Sequence, residues 1–111
     1  MSEPFQEFAS LNKLIHEPGR LAIVTALSAC ESADFVFLLR LTGLSKGNLS
    51  AHLSKLEEAG VVMIRKEFAG KVPRTVVSLT DDGRGSVRAY WEQLERLKRE
   101  AGKWRPVVEP A

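Results

Sequence analysis

The clearest alternation of apolar and polar positions in the chain lies between Ser45 and Gly60. Leu49, Leu53 and Leu56 fall at i, i+4 and i+7, the spacing of a single apolar stripe on an α-helix. Ser45 is a favourable N-cap and Gly60 a typical stop signal, so the pattern predicts a helix between them. Its leucine face should pack on a core, and its other face should be exposed to solvent.

The exposed face of this predicted helix is small and rich in hydrogen-bonding groups. Besides Gly47 and Glu58, the exposed face and its flanks carry Lys46, Asn48, Ser50, Ala51, His52, Ser54 and Lys55. The major groove of DNA admits one α-helix, and Ser, Asn, His and Lys side chains suit base edges and phosphates there. Taken alone, the pattern is equally compatible with an ordinary amphipathic surface helix.

The segment before this helix predicts a second, shorter helix. Ser32 or Asp34 can cap the apolar run 35–41, which a glycine soon follows. A tight turn joins the two predicted helices, so they must cross at a steep angle. Phe35 and Phe37 are most simply explained as core residues, with the alternative that one of them faces a partner or an effector.

The segment after the helix predicts a β-hairpin with a basic tip. Residues 61–68 and 75–79 alternate and are rich in β-branched side chains, and the link 69–74 contains Gly and Pro. Cations bracket this link, namely Arg65, Lys66, Lys71 and Arg74. Such a tip suits the minor groove of DNA or its bordering phosphates. The alternative is a solvated hairpin whose lysines only protect an edge strand.

The charge distribution supports DNA binding more than the net charge does. The net charge of +2 is too small to argue for nucleic acid by itself. Between Ser45 and Thr75, however, Lys46, Lys55, Arg65, Lys66, Lys71 and Arg74 stand against Glu57, Glu58 and Glu67. The positive excess therefore lies on the second helix and the hairpin.

In their order along the chain, these motifs match a known family. The matching residues are Pro18-Gly19-Arg20-Leu21, Gly47-Asn48-Leu49-Ser50, His52-Leu53, Lys55-Leu56-Glu57, Gly60, Gly70-Lys71, Pro73-Arg74-Thr75, Leu79-Thr80 and Gly83-Arg84. Over residues 14–97 the chain resembles the small winged helix-turn-helix regulators of the MarR/ArsR type, in particular their short single-domain subgroup. The resemblance implies a dimeric DNA-binding regulator without catalysis. It also implies that Arg20 either approaches the phosphate backbone or pins helix ends together.

The chain departs from the metal-sensing members of that family. Those relatives place paired cysteines in the first helix of the helix-turn-helix, or His and Asp clusters on the dimer helix. Here the run 35–40 has neither, and His16 and His52 are the only histidines. A four-ligand metal site would need several carboxylates, so we expect no metal and no cofactor. The single Cys30 continues an apolar rhythm and is expected to be a small core residue.

Both ends of the chain carry apolar stripes that suggest a dimer. After the N-cap Thr80, positions 87, 90, 94, 97, 101 and 104 are apolar with heptad spacing, and another stripe precedes Pro18. Together the two stripes are larger than one core can bury, so they predict a two-fold dimer. The residues expected at its interface are Phe5, Phe8, Leu11, Ile15, Tyr90, Trp91, Leu94, Leu97 and Trp104. The alternative is that Val87, Tyr90 and Leu94 pack on the core and the remainder frays.

Length and composition indicate one domain of 111 residues. We divide it into an N-terminal dimer helix (1–17), a winged helix core (18–79), a C-terminal dimer helix (80–104) and a tail (105–111). The fold class expected is mainly α with a small antiparallel hairpin. No apolar run approaches a membrane span, and the start Met-Ser-Glu-Pro is not a signal segment, so we expect a cytoplasmic, nucleoid-associated protein.

The function expected is a sequence-specific double-stranded DNA-binding transcriptional regulator, a repressor acting as a homodimer on a palindrome. The residues expected to contact DNA are Arg20, Lys46, Asn48, Ser50, Ala51, His52, Ser54, Lys55, Arg65, Lys71 and Arg74. No phosphate loop or nucleophile motif points to an enzyme. The alternatives are a protein-interaction module and a weakly selective DNA-organising protein. An unidentified small-molecule effector is a further possible partner.

Overall fold

The computed structural model describes residues 5–105 of the chain. In chain order the elements are a 3₁₀ helix Gln6–Ser10, α1 (Pro18–Ser28), β1 (Ala33–Asp34), α2 (Phe35–Thr42), α3 (Lys46–Glu58), β2 (Val62–Ala69), β3 (Val72–Leu79) and α4 (Asp81–Gly102). The predicted class, helices with a small antiparallel sheet, is confirmed. The helix α2, the turn, α3 and the hairpin β2–β3, hereafter the wing, have the winged helix-turn-helix order.

Side-chain caps fix the two helices of the helix-turn-helix. The Asp34 carboxylate accepts a hydrogen bond from the backbone N–H of Phe37 at 2.7 Å, so Asp34 rather than Ser32 is the N-cap of α2. Gly43 ends α2 with a φ of 70°, which favours glycine. The Ser45 hydroxyl then accepts from the N–H of Asn48 at 3.1 Å and begins α3, as predicted.

The wing differs from its prediction in the length of its second strand. Strand β3 begins at Val72, so only Gly70 and Lys71 form the turn, with Gly70 at a φ of 67° as the first central residue of a type II′ turn has. Pro73 therefore lies within the strand, opposite Phe68. A proline is tolerated there because β1 pairs with β3 only farther along, and this part of β3 has one neighbouring strand.

A third strand completes the sheet in the order β1-β3-β2. Ala33 pairs with Val77 and Asp34 with Val76, both antiparallel. The sequence did not predict β1, because two residues are too few to show an alternating pattern. By pairing with β3 directly before α2 begins, β1 ties the first helix of the helix-turn-helix to the sheet that carries the wing.

The core combines the apolar faces of all four helices α1 to α4 with the base of the sheet. Its buried members are Leu11, Ile15, Ile23, Val24, Leu27, Ala33, Leu38, Leu49, Leu53, Leu56, Val61, Val62, Val77, Leu79, Val87, Tyr90 and Leu97. Cys30 is half-buried against this cluster, as expected of a small apolar residue. Of the helices described, none is long and apolar enough to cross a membrane.

The N-terminal segment differs from the predicted dimer helix. Within the described residues it forms the short 3₁₀ helix and a turn, in which the Asn12 side chain accepts from the N–H groups of Leu14 and Ile15. Residues 1–4 of the predicted helix lie outside the described residues, as does all of the tail after residue 105. Leu11 and Ile15 are buried in the core of the same chain, so they have no surface to offer a partner.

Much of the apolar stripe of the long helix α4 packs on the core of the same chain. Val87, Tyr90 and Leu97 are buried in the single chain, which matches the alternative for Val87 and Tyr90 and removes Tyr90 and Leu97 from any dimer surface. The N-terminal segment contributes to this burial, since His16 contacts the Tyr90 hydroxyl and Gln93 and Arg96 bind Glu7. Trp91 and Leu94 are only half-buried, and Trp104 is exposed.

The start of α4 is anchored to the end of α3 through Thr80 and Gly83. The Thr80 hydroxyl donates to the carbonyl oxygen of Gly60 at 2.6 Å and accepts from the N–H of Gly83 at 2.9 Å. Gly83 lies so close to the backbone of Val61 that a Cβ atom would overlap the Val61 carbonyl oxygen. The first turn of α4 thus requires a glycine at this position.

We expect Gly83→Ala to lower the free energy of unfolding by about 2 kcal/mol or more, because the carbonyl is backbone and cannot move aside easily. Gly85→Ala is the matched control in the same helix, since a Cβ there meets nothing within 4 Å. It should raise stability by up to about 1 kcal/mol through helix propensity. Urea unfolding at one fixed protein concentration measures both, and equal effects would contradict the close contact.

Candidate nucleic-acid interface

The outward face of α3 is the first part of the candidate interface. Leu49, Leu53 and Leu56 are buried, and this fixes the rotation of the helix about its axis. The side chains thereby left exposed include Lys46, Asn48, Ser50, Ala51, Ser54 and Lys55, all of which the sequence placed on this face or its flanks. His52 is half-buried instead. The face is small and polar, so another surface can approach the α3 backbone closely.

A groove connects this face to the wing. Its volume is about 320 Å³, and Ser50 and Ser54 of α3 line it together with Ile64, Lys66 and Thr75 of the wing. Phe35 and Leu53 also line it. The outward face of α3 and one face of the wing therefore form a continuous surface, with Lys66 at the junction.

The strand register separates the wing cations onto two faces. Residues paired directly in an antiparallel ribbon share a face, and successive residues alternate. Lys66 pairs with Thr75 on the face beside α3, whereas Arg65 pairs with Val76 on the opposite face. Arg74 is opposite Glu67, and the two side chains form an exposed ion pair at 3.1 Å.

Among the described residues, three cations of the wing have no oppositely charged partner. Arg65, Lys66 and Lys71 are exposed, and none of them forms an ion pair with another residue in the described range 5–105. The positive charge of Arg74 is partly compensated by Glu67. Sequence spacing could not distinguish these cases, because the pairing register is set by the two-residue turn.

Arg20 forms part of the protein scaffold. Its side chain is 12% exposed, and its Nε donates to the carbonyl oxygen of Leu14 at 2.5 Å. Its Nη1 lies 3.2 Å from Nδ1 of His52 and 3.5 Å from a carboxylate oxygen of Glu17. Of the two roles implied for this arginine, the structure favours the one that pins helix ends together. His52 is correspondingly drawn toward α1 and away from the fully exposed face.

Glu17 completes this cluster and neutralises its charge. It is the N-cap of α1, and its carboxylate accepts hydrogen bonds from the N–H groups of Gly19 and Arg20. Desolvation raises the pKa of this carboxyl, but those two hydrogen bonds and the nearby His52 and Arg20 outweigh it, so the pKa lies below its ordinary value. The Glu17 carboxylate is anionic at neutral pH and offsets the Arg20 charge.

Helix α2 exposes more apolar surface than the sequence led us to expect. Phe35 is half-buried against the core, but Phe37 is 43% exposed, so the expectation that both are buried is wrong for Phe37. Val36 and Leu41 are also exposed on this helix. Leu38 is fully buried, but the apolar residues of this short helix point in several directions and cannot all face the core.

A second surface, which we call the terminal surface, lies where the N-terminal segment meets the end of α4. The rings of Phe5 and Trp104 meet edge to face with their centroids 5.9 Å apart, and both are exposed. An ion pair between Glu7 and Arg96 holds the two segments together, with Gln93 donating a second hydrogen bond to the Glu7 carboxylate. The hydrogen bonds from Arg96 and Gln93 hold the pKa of Glu7 below its ordinary value.

No group of three or more His, Cys, Asp or Glu side chains that could hold a metal ion occurs among residues 5–105. The half-buried His52 faces Arg20 and Glu17, and His16 contacts the Tyr90 hydroxyl at 2.7 Å.

Comparison with known proteins agrees with this geometry. Residues 20–98 match the profile of a family described as a winged helix DNA-binding domain. An uncharacterized protein of Methanocaldococcus jannaschii is 30% identical over 87 residues, which cover 78% of this chain and 95% of that protein.

Solved structures show the same arrangement. A transcriptional regulator homologue from Pyrococcus horikoshii OT3 superposes with a TM-score of 0.80 at 29% identity, covering 87% of this chain and 98% of that one. A protein assigned to the MarR family of transcriptional regulators, from Enterococcus faecalis V583, has a TM-score of 0.72 at 19% identity, with 93% of each chain covered. The second likeness concerns the fold alone.

We expect Arg20→Met to lower the free energy of unfolding by about 1–3 kcal/mol, because it leaves the Leu14 carbonyl oxygen without its donor. Lys71→Met, at an exposed turn position, should change stability by less than about 0.5 kcal/mol. Circular dichroism during urea unfolding measures both variants. If Arg20→Met kept full stability, the scaffold role would be refuted and direct contact with a ligand would explain the arginine better.

Proposed function

The chain belongs to the winged helix DNA-binding domain family, and from this premise we propose that it is a sequence-specific transcriptional repressor. In this proposal it acts as a homodimer on an imperfectly palindromic operator. The continuity of the outward face of α3 with the wing carries the proposal, because it offers one duplex two contacts at once. Helix α3 would enter the major groove, and the wing would lie over the adjacent minor groove.

The residues of the interface divide by chemistry. Asn48, Ser50 and Ser54 are short hydrogen-bonding side chains on the outward face of α3, where base edges would be within reach. Lys71 at the wing tip and Lys66 beside the groove are exposed cations that form no ion pair within residues 5–105, and they are suited to phosphates. We do not include Arg20 and His52 among the proposed DNA contacts, because their side chains bond to each other within the protein.

The terminal surface supports the dimer. Phe5 and Trp104 expose aromatic surface there, while Trp91 and Leu94 are half-buried along the same long helix. Exposed apolar patches of this type mark interaction sites, and a two-fold axis is the usual solution. Two α3 helices related by such an axis would enter successive major grooves about 34–36 Å apart. A dimer bound at a promoter would block polymerase, which makes repression the simplest outcome.

The exposed apolar side chains of α2 favour one second candidate, a winged helix that binds another protein. Val36, Phe37 and Leu41 would form its contact surface. Salt separates the two functions, since binding through phosphates weakens steeply as salt rises and an apolar protein interface does not.

Selection of bound sequences from a random duplex pool at near-physiological salt tests the proposal. An enriched palindrome with half-sites one helical turn apart would support a dimeric sequence-specific regulator. Binding without enrichment would instead support a weakly selective DNA-organising protein. No binding at all would contradict the proposal and favour the protein-interaction module.

We expect substitutions on α3 and on the wing to act differently on DNA binding. Lys71→Ala should weaken binding to all duplexes alike and reduce the salt slope by about one, because it removes one phosphate contact. Ser50→Ala or Asn48→Ala should change discrimination between sites by about 1–3 kcal/mol. Fluorescence anisotropy at several salt concentrations measures both quantities, and uniform losses from every variant would disprove this division.

We expect Leu94→Glu to produce monomers that remain folded, because a charge would be placed on the half-buried part of the apolar stripe of α4. Ala89→Glu is the control, since Ala89 is exposed and lies about 140° round the helix from Leu94. Light scattering after size exclusion gives the mass, and far-ultraviolet circular dichroism gives the helix content. A dimeric Leu94→Glu protein would show that the dimer interface lies elsewhere.

A further inference from the structure

We propose that Phe68 is an apolar wedge that enters the DNA minor groove and unstacks a base step beside each half-site. The inference rests on the proposed function and deepens it, because it adds a sequence preference at positions that α3 does not contact. The partner it requires is a duplex with a deformable step under the wing.

The exposure of Phe68 is the first observation. Among the large apolar side chains within residues 5–105 it is the most exposed, at 73%. It lies two residues before the turn, on the part of the wing that only β2 and β3 form. Val77, opposite Ile64, is the fully buried anchor of this ribbon. Pro73 is four positions from Val77 along β3, so the phenyl ring opposite Pro73 stands about 13 Å beyond Val77 along the strand.

The strand register fixes the face on which the ring lies. Phe68 is opposite Pro73 and shares a face with the pair Lys66 and Thr75, which lines the groove shared with α3. A duplex lying on the outward face of α3 would therefore meet Lys66 first and Phe68 next. Pro73 stiffens the neighbouring strand beside the ring, because its backbone φ is fixed.

The charges around Phe68 favour a polyanion as the partner. Lys66 on its face and Lys71 at the adjacent turn are exposed cations without an ion-pair partner in the described part of the chain. Glu67 is the one acid in the two strands, and the register places it on the opposite face, paired with Arg74. An apolar tip flanked by cations matches the minor groove, where a ring can insert between the apolar faces of stacked base pairs while cations contact the phosphates at the rims.

A wedge of this kind has a defined effect on DNA. Minor-groove proteins insert Phe, Leu, Ile, Met or Pro side chains between base pairs, which unstacks the step and kinks the duplex. The cost depends on the sequence, and pyrimidine–purine steps such as TA and CA are the easiest to open. Phe68 would thus select a flexible step at a fixed distance outside the bases that α3 contacts.

The test uses the full chain and a duplex enriched by selection, with 2-aminopurine placed at successive positions beneath the wing. The fluorescence of this adenine analogue rises when it is unstacked. We expect the unaltered protein to raise it at one step per half-site. Phe68→Ala should still bind, with an unchanged salt slope, roughly ten-fold weaker affinity and no fluorescence rise.

Val72→Ala is the matched control. Val72 is 63% exposed at the same end of the ribbon, but it pairs with Ala69 and so lies on the opposite face. It should keep both the affinity and the fluorescence rise. Changing the TA or CA step to a stiff A-tract should weaken the unaltered protein and leave Phe68→Ala unaffected.

The inference is overturned if Phe68→Ala binds as tightly as the unaltered protein with the same fluorescence rise, or if Val72→Ala loses as much. It is also overturned if the unaltered protein binds its palindrome with no unstacked step, a result that leaves the proposed function intact. Failure of the unaltered protein to bind any duplex would instead refute the proposed function, and the inference with it.

Discussion

The burial of one leucine stripe determines the orientation of the candidate interface. Leu49, Leu53 and Leu56 are each almost completely removed from solvent, so α3 cannot rotate about its axis without exposing them. Every residue on the outward face of α3 is there because the opposite face is committed to the core. Gly60, with a φ of 76°, follows the end of α3 and leads into the wing.

The orientation of the wing depends on the buried helix α3. Thr80 bonds to the carbonyl oxygen of Gly60, which joins the end of α3 to the end of β3, and β1 ties the start of α2 to the same strand. The ribbon is held at its base from two directions while its tip remains free. This combination of a fixed base and an exposed tip allows a hairpin to reach a second groove at a defined distance from the first.

The sequence predicted the parts of this arrangement that depend on local chemistry. The caps Ser45 and Thr80 and the leucine spacing are recognisable because each acts within a few residues. It failed where distant segments meet. The burial of Leu11, Ile15, Tyr90 and Leu97 depends on the N-terminal segment packing along α4, and nothing in either stripe indicates that they cover each other. The contact of Arg20 with His52 could not be predicted from the sequence either, because 32 positions separate the two residues.

That contact has a mechanical consequence. Arg20 bonds at once to the turn that carries the N-terminal segment, through the Leu14 carbonyl oxygen, and to His52 on α3. The N-terminal segment, which carries Phe5 of the terminal surface, is therefore hydrogen-bonded to α3 through Arg20. In a dimer built on that surface, the two α3 helices would keep a nearly constant separation. One added base pair between half-sites, about 3.4 Å of duplex, would have to be absorbed by bending or twisting the DNA, so operators should tolerate base changes better than changes in length.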